Sequence, residues 1–550
     1  MRNKLSRRQI LTGSAALGGA VAAGLPATAS AAALVTGTRA EPKPAGKPLP
    51  VFKGATVKPS DPRYPDLVDG WNGRFAGTPD YVRVVGSTEQ VERALADALH
   101  AGKRIATRSG GHCFENFWNS SDIKVEIDMS AMNSIYFDPA FRAFVVEPGA
   151  RLRDVNNSLF IDYGVSLPAG ICLDVGVGGH FCGGGYGILA RINGIVPDHM
   201  YGVEVVTVDK TGTPRTVIAT REGNDPNQDL FWAHTGGGGG NFGIVTRYLM
   251  RTPGATGNDP SLLLPKPPAK QRVITYAWPW PMPLSTFTAI VEGYLQWHQD
   301  NSQPGSRFAG LFAQLSCLHV SSSPVLPLTI VVDPTAPGSD QLVDDFVSAV
   351  IKPITLAATP AGDTSYPWLQ FTEFYGPTDS GNFVGWRNKS KGSYMRESYT
   401  ATQIAAMYRS LTDTSISTPR AAVLFGGYGC QVNTVAPDAT AVAQRDSMNK
   451  PIYTVYWDDP SQDDLFIGWI RNLYQQVHSD TGGVPTLNGI SDGSYINYPD
   501  IDMTDPVWNT SGVPWYTLYY KDNYPRLQEV KAKWDPLNVF HHALSVQPPA

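Results

Sequence analysis

At 550 residues the chain is too long for one small core and is expected to divide into roughly two or three domains. Hydrophobic residues make up 42% and aromatics 11%, which excludes a disordered chain and fits a packed globular enzyme. With 44 Lys and Arg against 49 Asp and Glu the net charge is −5, and no basic block stands out, which argues against nucleic acid as a partner.

The N-terminus reads as a targeting segment. Arg2, Lys4, Arg7 and Arg8 precede a mildly apolar stretch rich in Ala and Gly, and Ser6-Arg7-Arg8-Gln9-Ile10-Leu11 matches a twin-arginine signature. Ala27-Thr28-Ala29 or Ala29-Ser30-Ala31 supplies a small-residue cleavage pattern. Residues 1–31 are therefore expected to be a twin-arginine signal peptide read by the Tat export machinery, and the mature protein to be secreted. The stretch is weakly hydrophobic, and no later run of about eighteen apolar residues follows, so no stable membrane anchor is expected.

Residues 32–54 form a flexible lead-in, Pro-rich between Glu41 and Pro50. A short strand over 81–85 is followed by Ser87, which caps a helix with Gln90 as capping-box partner. Val91, Ala94, Leu95 and Ala98 share one face of that helix, and Gly102 ends it. A strand over 104–107 leads into the turn 108–112. Further strands over 124–129 and 143–147 and a helix over 152–160 complete an α+β pattern. Val203, Val205, Val206 and Val208 place strands around Gly212, and a five-glycine run at 236–240 precedes a strand over 244–250. The Pro- and Gly-rich stretch 252–268 reads as a domain boundary. Beyond it, helices over 283–300, 339–351, 401–411 and 463–479 interleave with strands over 273–278, 308–318, 328–332, 421–426 and 452–457, as in a sheet covered by helices on one face.

The chain has five cysteines, Cys113, Cys172, Cys182, Cys317 and Cys430. An exported protein can form disulfides, but an odd count leaves at least one thiol to explain. Without a C-x-x-C pair or an H-E-x-x-H motif, no metal is expected. Two residues carry the strongest chemical signal. His112 in R-S-G-G-H and Cys172 in P-A-G-I-C each close a glycine-rich turn, and imidazole and thiolate are both nucleophiles toward an oxidised, electrophilic ring. No G-x-G-x-x-G joins a strand to a helix, which disfavours a Rossmann site. A nucleotide pyrophosphate would instead be held by backbone N–H groups in tight turns. Arg108-Ser109-Gly110-Gly111 fits that role, with Ser109 supplying a hydroxyl and the glycines close approach.

Six motifs then stand together: R-S-G-G-H (108–112), V-E-P-G-A (146–150), P-A-G-I-C-L-D-V-G-V-G-G-H-F-C-G-G-G-Y-G (168–187), L-F-W-A-H-T-G-G-G-G-G-N-F-G-I-V-T (230–246), S-Y-I-N-Y-P-D (494–500) and Y-Y-K-D-N-Y-P-R-L (519–527). In order and spacing, across residues 60–545, the set resembles the berberine bridge enzyme-like FAD-linked oxidases of the vanillyl-alcohol oxidase superfamily. Within them it resembles members that oxidise glycosyl groups on antibiotics and the oligosaccharide oxidases. The resemblance implies an α+β fold. A two-subdomain FAD-binding domain of the PCMH type would span 55–255, and a substrate domain of antiparallel sheet covered by helices 256–490. A C-terminal segment, 491–550, would return to the FAD domain.

The resemblance further implies FAD tethered twice, by His112 at the 8α-methyl and by Cys172 at C6, with the ring held in an open groove at raised potential. Arg108, Ser109, Gly110, Gly111, Val175, Gly176, Gly178, Gly179, His180, Gly185 and Asn497 join them as the expected cofactor-binding set. Oxidising an alcohol requires a base for the O–H proton while hydride leaves the carbon. The motif Tyr is that base in the family, and Tyr495 is the expected one, with Tyr498 as alternate. Tyr186 matches the tyrosine that hydrogen-bonds to the phenolate. Read as a strand, 494–498 puts Tyr495 and Asn497 on one face and Tyr498 on the other. Members that use Glu carry it on the strand matching 452–457, which here reads I-Y-T-V-Y-W and has none; Tyr453 and Tyr456 are candidates to line the site.

Val175, three residues after Cys172, matches the position where a small side chain admits oxygen. The expected partners are thus molecular oxygen and a small-molecule substrate, a sugar or glycosylated natural product. Carbon–carbon bond formation, desaturation and amine oxidation on the same scaffold are the alternatives, as is a vestigial flavin in a binding protein. Trp368, Phe371, Tyr375 and Trp386 are candidates to stack on sugar rings. Cys113, after His112, and Phe181-Cys182, after G-G-H, depart from the family pattern.

Overall fold

The computed structural model describes residues 52–377 and 385–549. The predicted signal peptide and the lead-in up to residue 51 lie outside the described residues. Among the described residues three sheets form. The first holds β1 (Ala55–Val57), β2 (Tyr81–Val84), β3 (Ile105–Arg108) and β4 (Val125–Asp128) in the order β1-β2-β4-β3. β4 runs parallel to both β2 and β3. Parallel pairing needs a crossover, and helix α1 (Thr88–His100) begins one. The Ser87 hydroxyl accepts from the Gln90 N–H at 3.3 Å, while the Gln90 side chain accepts from the N–H of Gly86 rather than Ser87. Val91, Ala94, Leu95 and Ala98 are fully buried, and Gly102 leaves the helix at φ +62°.

The second sheet is antiparallel: β5 (Ile135–Asp138), β6 (Ala143–Val146), β7 (Met200–Val208), β8 (Pro214–Thr220) and β9 (Ile244–Met250) in the order β5-β6-β9-β7-β8. Helix α2 (Leu152–Tyr163) ends at left-handed Gly164, and the short α3 (Val177–Cys182) follows the Cys172 turn.

The third sheet has seven antiparallel strands, β10 (Lys270–Pro279), β11 (Leu311–Leu318), β12 (Val325–Val332), β13 (Thr359–Pro367), β14 (Arg387–Gly392), β15 (Arg420–Gly427) and β16 (Asn449–Trp457), ordered β13-β10-β12-β11-β15-β16-β14. Helices α4 (Leu284–Asn301), α6 (Ala401–Leu411) and α7 (Asp463–Val477) cover one face, and α5 (Trp368–Tyr375) lies at the β13 end. Period-2 alternation divides β16 cleanly. Tyr453, Val455 and Trp457 are buried in the core, with the Tyr453 ring edge-on to Tyr474 of α7. Lys450, Ile452, Thr454 and Tyr456 face the opposite way, onto the cavity described below.

Sequence reading missed β1, β5, β13 and β14, and helix α5. β14 is R-N-K-S-K-G, built from residue types depleted in strands. Asn388, Lys389, Ser390 and Lys391 are nevertheless buried, and the lysines meet carboxylates from distant segments. The C-terminal stretch returns to the first two sheets as expected. Lys531 on α8 (Tyr524–Trp534) donates to the Asn241 carbonyl at 2.7 Å, and Arg104 donates to the His541 carbonyl at 2.9 Å. None of the five cysteines is in a disulfide. Among the described residues no helix is long and apolar enough to cross a membrane.

Candidate active site

A cavity of about 630 Å³ runs from the glycine turns of the first two sheets to the open face of the third. That volume lies within the roughly 300–1,000 Å³ of small-molecule sites. All sixteen residues expected at the site on sequence grounds except Gly185 line it, His112 and Cys172 included.

Backbone packing brings the two nucleophiles to one cavity. Gly110, two residues before His112, lies against Gly176, four after Cys172. A Cβ on Gly110 would stand 2.3 Å from the Gly176 nitrogen, and one on Gly176 would stand 2.1 Å from the Ser109 oxygen. These glycines serve turn-on-turn contact first. Gly176→Ala is expected to cost about 1–3 kcal/mol or more through overpacking, read as a lowered midpoint in thermal unfolding.

Ser109 and Arg108 have a different role from the one expected. The Ser109 hydroxyl donates to the Pro148 carbonyl at 2.6 Å and accepts from the Gly178 N–H at 3.2 Å. The Arg108 guanidinium donates to the carbonyls of Leu67 and Asp69 and to Asp128, and covers the Trp118 ring. Both hold turns together. The His112 ring stacks on Trp71 at 5.4 Å, and the Trp71 N–H donates to the Gly111 carbonyl.

His180 and Gly185 explain each other. The His180 ring occupies the space that a Cβ on Gly185 or Gly170 would need, and its Nε2 accepts from the Gly170 N–H at 3.0 Å. Burial, helped by Lys450, pushes the imidazole down to about 3, so it is neutral. Burial also drives His542 to about 3 and His234 to about 4. Among the described residues Arg108 and Lys450 are the basic side chains on the cavity wall besides histidine, and burial holds the Lys450 amine well below the usual lysine range. Gly179 has open space where its Cβ would point, and Gly238 and Gly240 hold φ of +88° and +73° along the same wall. Such a surface fits FAD: the glycine backbone would face the pyrophosphate, and His112 and Cys172 would reach the ring. Cys113 and Cys182 do not compete. Burial pushes their thiols up to about 12 and about 11, and Cys182 donates to the Gly178 carbonyl.

The tyrosines depart from expectation. Residues 494–498 are not a strand but a turn closed by the Tyr498 N–H on the Tyr495 carbonyl at 2.8 Å. Both rings consequently face the cavity, 5.0 Å apart. Tyr186 pairs with Tyr498, Oη to Oη at 3.0 Å, and not with Tyr495. The Tyr495 hydroxyl donates to the Gly184 carbonyl and accepts from Asn497, whose amide also donates to the His180 carbonyl. Phe114 stacks on Tyr498 at 5.5 Å. Burial is the main force raising these phenols, to about 12 at Tyr186 and well above the ordinary value at Tyr495 and Tyr498; Cys172 adds to it at Tyr186 and Tyr498.

Lys450 was not found by sequence reading. Its amine is buried with no hydrogen-bond partner among the described residues, 3.1 Å from the Tyr495 ring centre and 3.5 Å from that of Tyr186, with Tyr394, Tyr428 and Tyr498 within 5.6 Å. Burial holds it well below the usual lysine range. The one signal was a lone lysine beginning an otherwise apolar strand. Of the strand tyrosines, Tyr456 lines the cavity and touches Trp71 edge-on, whereas Tyr453 bonds to Tyr399 behind the sheet. Tyr375 lines the cavity; Trp368 and Phe371 are core, and Trp386 packs near Tyr456.

Known proteins match this frame. An FAD binding domain model matches residues 79–217, and a berberine and berberine-like model matches residues 494–547. The fold and site are those of an FAD-linked oxidoreductase, of the class acting on CH–OH groups with oxygen as acceptor. The chain is 46% identical to aclacinomycin-N/aclacinomycin-A oxidase of Streptomyces galilaeus, over 100% of this chain and 99% of that protein. It is 31% identical to hexose oxidase of Chondrus crispus, over 90% and 95%. The crystal structure of a glycopeptide hexose oxidase complexed with teicoplanin superposes with a TM-score of 0.87 at 46% identity, covering 91% of this chain and 100% of that one. The chain belongs to the berberine bridge enzyme-like family of FAD-linked oxidases.

Proposed function

We propose that this protein is a secreted oxidase with bicovalently bound FAD that oxidises a hydroxyl of a sugar or glycosylated secondary metabolite, releasing hydrogen peroxide. One observation carries the reading: His112, Cys172 and the Tyr186–Tyr498 pair open on the same cavity. The names of relatives, an aclacinomycin oxidase and a hexose oxidase, support the substrate class. The twin-arginine signature of residues 6–11 supports export.

Bound FAD would supply the two-electron acceptor, taking hydride from the carbinol carbon and passing the pair to oxygen. The protein's part is the proton. Tyr498 is the base, because its hydroxyl is bonded to another phenol rather than committed to the backbone. Tyr186 donates to the phenolate oxygen as the substrate O–H proton arrives. Tyr495 and Asn497 hold the turn on α3. Overall, alcohol and oxygen give carbonyl compound and hydrogen peroxide. Each tether would replace one N–H or S–H bond and one ring-system C–H bond with an N–C or S–C bond, and oxygen would take the two hydrogens with their electrons to hydrogen peroxide.

The test is acid precipitation of the purified protein followed by peptide mass analysis and a peroxide assay on a glycoside panel. Flavin joining the His112 and Cys172 peptides is the expected result. Flavin left wholly in the supernatant sinks the tethers, and no peroxide from any sugar-bearing compound sinks the substrate class. Export is checked by replacing Arg7 and Arg8 with Lys and assaying the medium.

A further inference from the structure

Behind the cavity lies a buried cluster of charges that plays no part in the chemistry above. Lys389 donates to Glu115 at 2.6 Å and to Asp500 at 2.8 Å. Lys391 donates to Asp500 at 2.6 Å and to Asp502 at 2.7 Å, and Arg471 closes on Asp502 at 2.7 Å. Three cations meet three carboxylates, and Lys389, Lys391, Glu115, Asp500 and Asp502 are each at most 3% exposed. Charges so placed need all their partners.

Position in the chain gives the cluster its meaning. Glu115 is three residues past His112, and Asp500 is two past Tyr498. Lys389 sits on β14, the edge strand beside β16, which carries Tyr456 and Lys450. One ammonium thus joins the loop bearing the nucleophilic histidine to the turn bearing the base. Asn72 reinforces the joint: its amide donates to the carbonyls of Phe114 and Asn388, and it accepts from the Asn388 N–H. Other contacts secure the Cys172 turn. It is held by Gly110, by the Pro377 carbonyl on the Leu173 N–H, and by the N–H groups of Leu152 and Arg153.

We propose that Lys389 is a positioning residue: by docking Glu115 beside Asp500 it holds the His112 loop at the distance from the Tyr498 turn needed for the tether at His112, and not for that at Cys172. The inference rests on the bicovalent reading. It matters because the seven-stranded sheet, not the FAD-binding sheets alone, would then set where the ring is attached relative to the base. A misplacement of about 1 Å slows a positioned reaction on the order of a hundredfold.

The experiment compares two charge-balanced double variants, each purified as the flavin-bearing protein. Glu115→Gln with Lys389→Met cuts the His112 joint and leaves two cations facing two carboxylates. Lys391→Met with Asp502→Asn cuts the far side, removing four ion pairs against three for the first double, so it disturbs the cluster at least as much. Tether occupancy is read at each site by peptide mass analysis over time after expression. The first double is expected to keep the Cys172 tether and lose the His112 tether from most molecules, with attachment there slowed about a hundredfold. The second is expected to keep both. Equal behaviour of the two doubles, whether both tethers stay or both fade, overturns the inference. If the first double does not accumulate, Glu115→Gln alone replaces it, with the same selective loss expected and unchanged occupancy overturning it. A wild type lacking the His112 tether fails the bicovalent reading itself and takes the inference with it.

Discussion

Tyr498→Phe is expected to lower the rate of anaerobic flavin reduction by about 10²- to 10⁴-fold, the usual contribution of a positioned base. Substrate affinity is expected to change little, because the ring and its stack on Phe114 remain. Tyr495→Phe is expected to lose far less. Its hydroxyl is spent on the Gly184 carbonyl and Asn497, so the loss is two structural hydrogen bonds, each worth about 1 kcal/mol. Rapid mixing of each oxygen-free variant with substrate measures both rates directly. A large loss in Tyr495→Phe and a small one in Tyr498→Phe would reverse the assignment.

Lys450→Met is expected to move the acidic limb of the kcat/KM profile to higher pH. Each partner alone prefers to be neutral: burial lowers Lys450 and raises Tyr186, Tyr495 and Tyr498. A proton leaving Tyr498 creates a buried anion, and the amine 5.6 Å from that ring is the nearby group able to take up positive charge beside it. Charges at such a distance interact by roughly 3 kcal/mol at an effective dielectric constant of 20, which is about 2 pH units. The base works unprotonated, so activity rises with pH through its apparent pKa. Removing the amine raises that pKa, and activity at neutral pH falls. The titration belongs to the cluster and not to one residue, so the shift is measured on the profile as a whole. Methionine preserves length and packing, which separates lost charge from lost volume. An unmoved limb would show that the phenolate forms without the lysine.

Much of the frame was legible from sequence. The Ser87 cap, the apolar face of α1, the helix over Ala401–Leu411 and the core of most strands follow from local periodicity, and the structure places them within a few residues. The strands that escaped did so for physical reasons. β14 is a buried strand made of Asn, Lys and Ser, and only carboxylates more than a hundred residues away make that tolerable. β13, T-P-A-G-D-T-S-Y-P, is an exposed edge with Pro and Gly, and it carries no alternation to read.

At the site the division is sharper. Glycine-rich turns singled out His112 and Cys172, and the family resemblance carried by the six motifs, in order along the chain, paired them. Why Gly110 and Gly176 are glycines was a tertiary matter: each occupies the space a Cβ on the other would need. The sequence motif put the base at Tyr495 with Tyr498 as alternate, on a strand reading that a turn does not share, since the two distribute the rings differently. The turn closed by the Tyr498 N–H sends both to the cavity, and the Tyr186 hydroxyl bonds to Tyr498. Lys450 had no motif at all; the surrounding tyrosines come from four separate segments and converge only in the folded chain. The sequence by itself determined the class of protein and marked His112 and Cys172 as candidate nucleophiles, because those depend on short runs of residues. Only the tertiary structure decided which phenol bonds to Tyr186, which amine is buried among rings, and which buried ions join the His112 loop to the Tyr498 turn, because each depends on burial and distance between residues far apart in the chain.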